Sequence, residues 1–207
     1  MQTDQIKTNK RIILASASPR RRELLSLVTV NFEVVTAEID ERACEIRMEE
    51  EGTPALKVSE NLAELKAKAV FDSLTSEEKE NTIVIGADTS VISDGVIYGK
   101  PEDREDAVRM LSSMSGKVHV VATGVALFTG AKKSVFTEET RVEFYALDDF
   151  QKKLISDYCD SRSPYDKAGS YGIQDMGALL IKRIDGDYSN VVGLPVSRLA
   201  RELSYML

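Results

Sequence analysis

The sequence predicts an α/β or α+β fold built around a mixed β-sheet. Short apolar runs at 11–15 and 82–87 are typical of buried strands. Residues 55–74 repeat their apolar positions with a helical period. Asp94-Gly95 is a strong signal for a two-residue hairpin between further strands. Parallel and antiparallel pairing are therefore both expected.

The first elements follow from local signals. After the strand at 11–15, Ser18-Pro19 opens a helix to about residue 28, because serine is a good N-cap and proline a good first helical residue. The pattern at 32–36 alternates as a second strand. An acidic stretch at 38–51 precedes the helix at 55–74. If Asp94-Gly95 is the loop, a regular hairpin places Lys100 opposite Thr89.

The later part of the chain again combines predicted strands and helices. It predicts helices at 103–114, 148–159 and from about 195 to the end, and strands at 118–129, 133–146 and 178–184. A glycine-rich segment at 166–177 precedes the last strand. The sequence contains no Pro- or Ser-rich stretch that would indicate a linker between domains. We therefore expect one domain over residues 1–207, with residues 1–10 as an N-terminal extension.

Composition excludes several classes of protein. The chain has 207 residues, 27 Lys+Arg against 34 Asp+Glu, and a net charge of −7. This argues against sequence-independent binding to nucleic acid or to an anionic membrane. No apolar run approaches the roughly 18 residues of a membrane span. Cys44 and Cys159 lack metal or redox spacing, which fits the reducing cytoplasm. The single histidine, His119, is in a predicted strand, so we expect a structural role and no histidine-based hydrolysis.

Several charged residues are candidates for chemistry. Arg20 and Arg21 follow the helix start, where the dipole disfavours cations unless an anion binds; a solvated basic turn is the alternative. Asp88 ends an apolar strand, where open sheets place ligands, but could simply cap a turn. Lys100 can bind phosphate or form an ion pair. Lys66 is at the edge of an apolar helix face, where snorkelling is the usual outcome.

Two further segments are open to more than one interpretation. Glu38, Asp40 and Glu41 could hold a hard cation or could be solvated. The glycines of 166–177 permit close approach to a flat ligand but are equally common in turns. GxxxxGK[ST], GxGxxG and HExxH are all missing, so a P-loop NTPase is excluded.

Taken together, eight segments resemble the Maf family of nucleoside triphosphate pyrophosphatases. They are ASASPRRRELL (15–25), EIDE (38–41), LAELKAKA (62–69), VIGADT (84–89), GKP (99–101), MLSSMSGKVH (110–119), DKAGSYGIQ (166–174) and IDGDYSNVVGLP (184–195). DKAGSYGIQ is similar to the dTTP/UTP branch rather than the 7-methyl-GTP branch. One departure is Asp175, where family members often have glycine.

The resemblance implies an elongated mixed sheet flanked by helices, with two lobes around a central cleft. It implies a cytoplasmic enzyme, often a homodimer, that cleaves a nucleoside triphosphate to the monophosphate and pyrophosphate with Mg²⁺ or Mn²⁺. The proton acceptor maps to Asp88, and an acidic position near the metal maps to Glu41. Asp88 can activate the water directly or ligate the metal, and the sequence does not decide between these two roles. The specificity positions map to Arg20, Thr89 and Gln174, and the lysines that contact the triphosphate map to Lys66 and Lys100. Arg21, beside Arg20 at the helix start, is a further candidate for substrate binding.

The chemistry of the bases leaves one ambiguity. The Gln174 amide can accept from N3–H and donate to O4 of uracil or thymine, but when rotated it suits cytosine. Gln174 alone therefore does not exclude CTP, and nearby backbone groups must fix its orientation. Two rivals predict different behaviour: a non-enzymatic regulator of septum formation, and a pyrophosphatase for ITP or XTP.

Overall fold

The computed structural model describes Ile6 and residues 8–207, and the chain divides into two compact units. The first unit comprises the chain up to Asp88, Thr123–Glu138 and Gly193–Leu207. The second unit comprises Thr89–Ala122 and Glu139–Val192. The single domain over 1–207 stays a prediction. Of the predicted N-terminal extension, residues 1–5 and 7 lie outside the described residues.

A seven-stranded mixed sheet confirms the predicted fold class. Its strands are β1 (Arg11–Leu14), β2 (Glu33–Val34), β3 (Thr82–Ser93), β4 (Val96–Tyr98), β5 (Val118–Phe128), β6 (Lys133–Phe144) and β7 (Ile181–Asp185). The order is β2-β1-β3-β5-β6-β7, with β4 paired to β3. β1 is parallel to β2 and β3, whereas the β3–β4 and β6–β7 pairs are antiparallel.

The helices are α1 (Pro19–Leu25), α2 (Glu41–Glu50), α3 (Ala55–Asp72), α4 (Ser76–Asn81), α5 (Arg104–Met114), α6 (Asp149–Cys159), α7 (Tyr188–Val192) and α8 (Val196–Met206). Short 3-10 segments cover Pro164–Asp166, Ala168–Ser170 and Met176–Leu180. Across Ile6 and residues 8–207, no helix is both long and apolar enough to cross a membrane. Cys44 and Cys159 are free thiols.

Three predicted boundaries are wrong in instructive ways. The helix predicted to reach residue 28 ends at Leu25, because Leu27 N–H bonds Leu24 O at 3.1 Å and tightens the turn. The strand predicted at 32–36 is reduced to Glu33–Val34. The strand predicted from 178 begins at Ile181, since the preceding residues form a 3-10 turn that Asp175 caps.

The helix α2 forms inside the acidic stretch, where the sequence predicted no element. The carboxylate of Asp40 caps it by accepting the Ala43 N–H at 2.9 Å. Met48 is its one buried residue, so the apolar period that predicts helices is nearly missing. Its formation places Glu41 at the helix start, where a negative charge is favoured.

In the first unit, the long helix α3 packs directly on the sheet. An apolar cluster joins them: Ile13, Ala15, Ala63, Ala67, Val70, Val84 and Ala126. At Gly86 of β3, an added Cβ would lie 2.2 Å from the carbonyl oxygen of Ala63. At Gly124 of β5 it would lie 2.4 Å from Cα of Glu60. Glycine at these two positions therefore lets the helix backbone contact the strands.

The core of the second unit is aromatic and contains the only histidine of the sequence. Tyr158, Phe144 and Tyr171 belong to one buried cluster. His119 is 1% exposed, and its Nε2 lies 2.8 Å from the Tyr171 hydroxyl. Its ring meets that of Phe144 edge-on at 4.7 Å. Burial lowers the pKa of His119 to about 4, which agrees with the predicted structural role.

Candidate active site

In the first unit, three predicted site residues meet at one ammonium group. Lys66 Nζ of α3 donates to Glu41 Oε2 at the start of α2 and to Asp88 Oδ1 on β3, each at 2.7 Å. The helix α3 brings Lys66 to the sheet, and β3 carries Asp88 past the end of its apolar run. The structure thus joins a candidate base, a candidate metal ligand and a candidate phosphate ligand.

Burial distinguishes the three partners. The Lys66 side chain is 8% exposed and that of Asp88 13%, whereas Glu41 is 52% exposed. Lys66 therefore does not snorkel to solvent, since two carboxylates neutralise its charge where it lies. Only Oδ1 of Asp88 takes part in this bond, and within the described residues no hydrogen bond is made to its Oδ2.

The arginines at the start of α1 have different surroundings. Ser18 Oγ caps the helix by accepting the Arg21 N–H at 3.4 Å, as predicted, and Arg20 is in the first turn. Arg21 Nε donates to Gly193 O at 2.9 Å. Burial lowers the pKa of Arg21, while the charges of Asp88 and Glu41 act to raise it. These two carboxylates are thus close enough to act electrostatically on Arg21.

Glu45 is an acidic neighbour that the sequence argument missed. Its pKa is raised, first by burial and then by the negative charge of Asp88. Glu41 and Glu45 are four residues apart on α2 and so share a face. That spacing could have revealed the pair if the helix had been predicted.

The donor set fits a hard divalent cation in its chemistry. Asp88 and Glu41 offer carboxylate oxygens, which Mg²⁺ and Mn²⁺ prefer, and Glu45 adds negative charge nearby. In the part of the chain that the structure describes, no three acidic, histidine or cysteine side chains are already arranged around a metal position. The Lys66 ammonium instead lies between Asp88 and Glu41.

In the second unit, the β3–β4 hairpin confirms part of the predicted register. Ser93 pairs with Val96 around Asp94-Gly95. Both loop residues are left-handed, with φ of 51° and 79°, as a type I′ turn requires. The predicted pairing of Lys100 with Thr89 is wrong, because β4 ends at Tyr98.

The Lys100 segment instead approaches the glycine-rich segment of the same unit. Gly99 O accepts the N–H of Gly169 at 3.0 Å. Gly169 has a φ of 69°, and an added Cβ there would lie 2.8 Å from Cγ1 of Val91. Lys100 and the segment that contains Gln174 are thus connected by backbone. The Gln174 side chain is exposed in the turn before Asp175.

The side chain of Asp175 is a second feature that the sequence argument did not interpret. It accepts hydrogen bonds from Tyr158, Ser163 and the Gly177 N–H. The sequence marked Asp175 only as a departure from a glycine pattern. A pattern of turn residues gives no signal for partners on another element, such as Tyr158 of α6.

Comparisons with known proteins identify the family of this chain. The profile of the family described as Maf-like protein matches residues 11–206. A dTTP/UTP pyrophosphatase from Bacillus cytotoxicus is 47% identical over 94% of this chain and 94% of its own length. A protein of the same name from Acetivibrio thermocellus is 46% identical over 92% of this chain and 92% of its own length. Another from Thermosipho africanus is 45% identical over 91% of this chain and 90% of its own length. By this full-length match, the chain belongs to the Maf-like protein family.

Proposed function

We propose that the protein hydrolyses dTTP and UTP to the monophosphate and pyrophosphate. The observation that carries the proposal is the buried Lys66 ammonium between Asp88 and Glu41, because it combines a base and a cation in one place. The names of the relatives, all dTTP/UTP pyrophosphatase, supply the substrate class. We further propose that the protein has a role in cleaning the nucleotide pool.

Asp88 is proposed as the general base. Its Oδ1 is fixed by Lys66 at 2.7 Å, which orients the carboxylate and leaves Oδ2 to accept a proton from water. That water would attack the α-phosphorus, the bond to the bridging oxygen would break, and pyrophosphate would leave. A side chain that is 13% exposed loses little orientation to solvent motion.

Positive side chains would offset the charge of the triphosphate. We propose Lys66, Arg20 and Lys100 as direct phosphate contacts, because guanidinium and ammonium groups stabilise developing charge on a leaving pyrophosphate. Arg21 would add charge while its Nε remains bonded to Gly193 O. The α1 helix has seven residues, so its dipole contributes less than the arginines.

Glu41 and Asp88 are proposed to hold a divalent cation, Mg²⁺ or Mn²⁺. When bound, such an ion neutralises phosphate charge and lowers the pKa of a coordinated water. Thr89 and Gln174 are proposed to contact the nucleoside, with the Gln174 amide pairing with N3–H and O4 of the base. The pairing of the Gln174 amide with the base does not sense position 5, which suits both dTTP and UTP.

We also propose a cytoplasmic homodimer that binds neither nucleic acid nor membranes. The net charge of −7 argues against sequence-independent binding to nucleic acid or anionic membranes, and the two free thiols fit a reducing compartment. The homodimer is proposed from the resemblance to the family alone. Sedimentation equilibrium gives the oligomeric state directly: a monomer at micromolar concentration would contradict the dimer.

A nucleotide panel tests the function. Purified protein is incubated with Mg²⁺ or Mn²⁺ and each of dTTP, UTP, CTP, ATP, GTP, ITP and XTP, and the products are separated by chromatography. We expect dTTP and UTP to turn over fastest, to monophosphate and pyrophosphate. Release of diphosphate and orthophosphate would overturn the reaction type, and preference for ITP or XTP would support the purine-cleaning rival. No turnover of any nucleotide would favour the non-enzymatic regulator.

A further inference from the structure

The carboxylate of Asp175 is the centre of a hydrogen-bond cluster in the second unit. Its Oδ1 accepts from the Tyr158 hydroxyl at 2.9 Å and from the Gly177 N–H at 2.8 Å. Its Oδ2 accepts from Ser163 Oγ at 2.7 Å and lies 3.3 Å from Lys167 Nζ. One side chain therefore joins the turn at 172–177 to α6 and to the segment that follows it.

Electrostatics keep this cluster in one protonation state at neutral pH. Burial alone would raise the pKa of Asp175, but hydrogen bonds from Ser163, the Gly177 N–H and Tyr158 outweigh it and lower the pKa. The pKa of Tyr158 is raised, first by burial and then by its bond to Asp175. The phenol thus remains a donor and the carboxylate an acceptor, as these contacts require.

The cluster holds the Gln174 turn on both sides. The Tyr158 oxygen also accepts the N–H of Gly172 at 3.1 Å, two residues before Gln174. Gly177, three residues after Gln174, bonds to Asp175 itself. An added Cβ at Gly172 would lie 2.7 Å from Asp175 Oδ2, so the turn packs closely on the carboxylate. Between these anchors Gln174 is exposed, and no described residue hydrogen-bonds its amide.

We infer that Asp175 is a positioning residue that makes Gln174 select uracil and thymine over cytosine. The inference rests on the proposed function. The amide alone suits either base, because rotation exchanges its donor and acceptor. Rejection of cytosine therefore needs a fixed distance between the Gln174 amide and the backbone groups of its turn. A turn held at both sides provides that distance, whereas a loose turn can adjust to either base edge.

The test compares kcat/KM for UTP and CTP in wild type, Asp175→Gly and Asp175→Asn. We expect wild type to prefer UTP, and Asp175→Gly to reduce the UTP:CTP ratio by about tenfold or more. The change should come from a higher KM for UTP, with kcat for UTP within about threefold of wild type. Asp175→Asn keeps one acceptor oxygen and should give an intermediate ratio, which also covers the case that the glycine variant does not fold.

Two controls separate positioning from general loosening. Asp160→Asn removes the exposed ion pair with Arg104 in the same unit and should leave the ratio unchanged. Gln174→Ala should itself reduce the ratio, and Gln174→Ala combined with Asp175→Gly should reduce it no further, because the two residues act through one contact. Amide hydrogen exchange of Gly172 and Gly177, measured without nucleotide, should accelerate in Asp175→Gly.

The outcomes distinguish this inference from the proposed function. If wild type hydrolyses UTP and the UTP:CTP ratio of Asp175→Gly equals that of wild type, the inference is overturned and the function stands. Unchanged exchange at Gly172 and Gly177 also overturns it, because the turn would then not depend on the carboxylate. If wild type hydrolyses neither nucleotide, the proposed function fails and the selectivity inference fails with it.

Discussion

Replacing Lys66 with methionine tests the energetics of the ion cluster. Methionine has nearly the volume of lysine without the charge, so the change removes the two hydrogen bonds and leaves the packing. The bond to the mostly buried Asp88 should contribute about 1.5–3 kcal/mol. The bond to half-exposed Glu41 should contribute less than about 1 kcal/mol. Burial of the methionine end returns about 1 kcal/mol. We expect a free energy of unfolding about 2 kcal/mol lower than wild type.

The assay is urea unfolding followed by circular dichroism and by tyrosine fluorescence, without nucleotide or metal. Lys68→Met is the matched control on the same helix, because Lys68 pairs with Asp72 where both side chains are more than half exposed. It should lower the free energy of unfolding by less than about 0.5 kcal/mol. Lys66→Met combined with Asp88→Asn should be more stable than the sum of the single changes predicts, since the buried charge loses its partner in each single variant.

A particular result would refute this reasoning. If Lys66→Met and Lys68→Met differ by less than about 0.5 kcal/mol, burial does not strengthen the Lys66 contacts. Additive effects of the Lys66 and Asp88 changes would lead to the same conclusion. The ammonium would then be as weakly coupled as one on the surface.

Three other outcomes are expected. Asp88→Asn should remain folded, and its kcat should be lower than that of wild type by a factor of about 10²–10⁴. The control Asp94→Asn, in the exposed hairpin turn, should keep full turnover. Near-normal turnover in a folded Asp88→Asn variant would show that Asp88 is not the general base. Arg20→Ala should show a smaller rise in melting temperature with a non-hydrolysable dTTP analogue than wild type does, because a charge-assisted phosphate contact is lost. The full wild-type rise in Arg20→Ala would exclude Arg20 as a phosphate contact. His119 has a folded pKa of about 4, below its unfolded value of 6.5, so the unfolded chain binds more protons between these values. The free energy of unfolding should therefore fall by roughly 3 kcal/mol as the pH drops through that window. In urea unfolding at pH 7 and pH 4, His119→Phe should lose less stability between the two pH values than wild type does. An equal loss in both proteins would contradict the low pKa of His119.

Elements with strong local signals could be predicted from the sequence. Next to the Asp94-Gly95 loop the hairpin has the predicted register, because two left-handed residues fix it locally, whereas the pairing predicted farther along, of Lys100 with Thr89, is not formed. The helix α3 and the central strand β3 follow from apolar periodicity. The helix α2 could not be predicted, since a single buried residue leaves no period to detect.

The contacts of the candidate site depend on tertiary structure. Lys66 is 25 residues from Glu41 and 22 from Asp88, so no local pattern joins them. Its helix position is that of a snorkelling lysine, and only the packing of α3 on β3 makes it a buried ion. The contacts of Asp175 could not be predicted for the same reason. The composition of its segment predicts a turn, but its hydrogen-bond partner Tyr158 is 17 residues away on α6.

The direct contact of α3 with the strand backbones has a consequence for how the candidate site tolerates sequence change. At Gly86 and Gly124 the strand contributes no side chain between helix and sheet, so the close approach of α3 at these two points depends on the absence of a Cβ. Substitutions among the apolar residues nearby would lower stability before they changed the separation of Lys66 and Asp88. A single methyl group at Gly86 would act in the opposite way, by lifting the helix and its ammonium from the carboxylate. The contact of Lys66 with Asp88 therefore depends on two positions that have no side chain, as well as on the packed residues around α3.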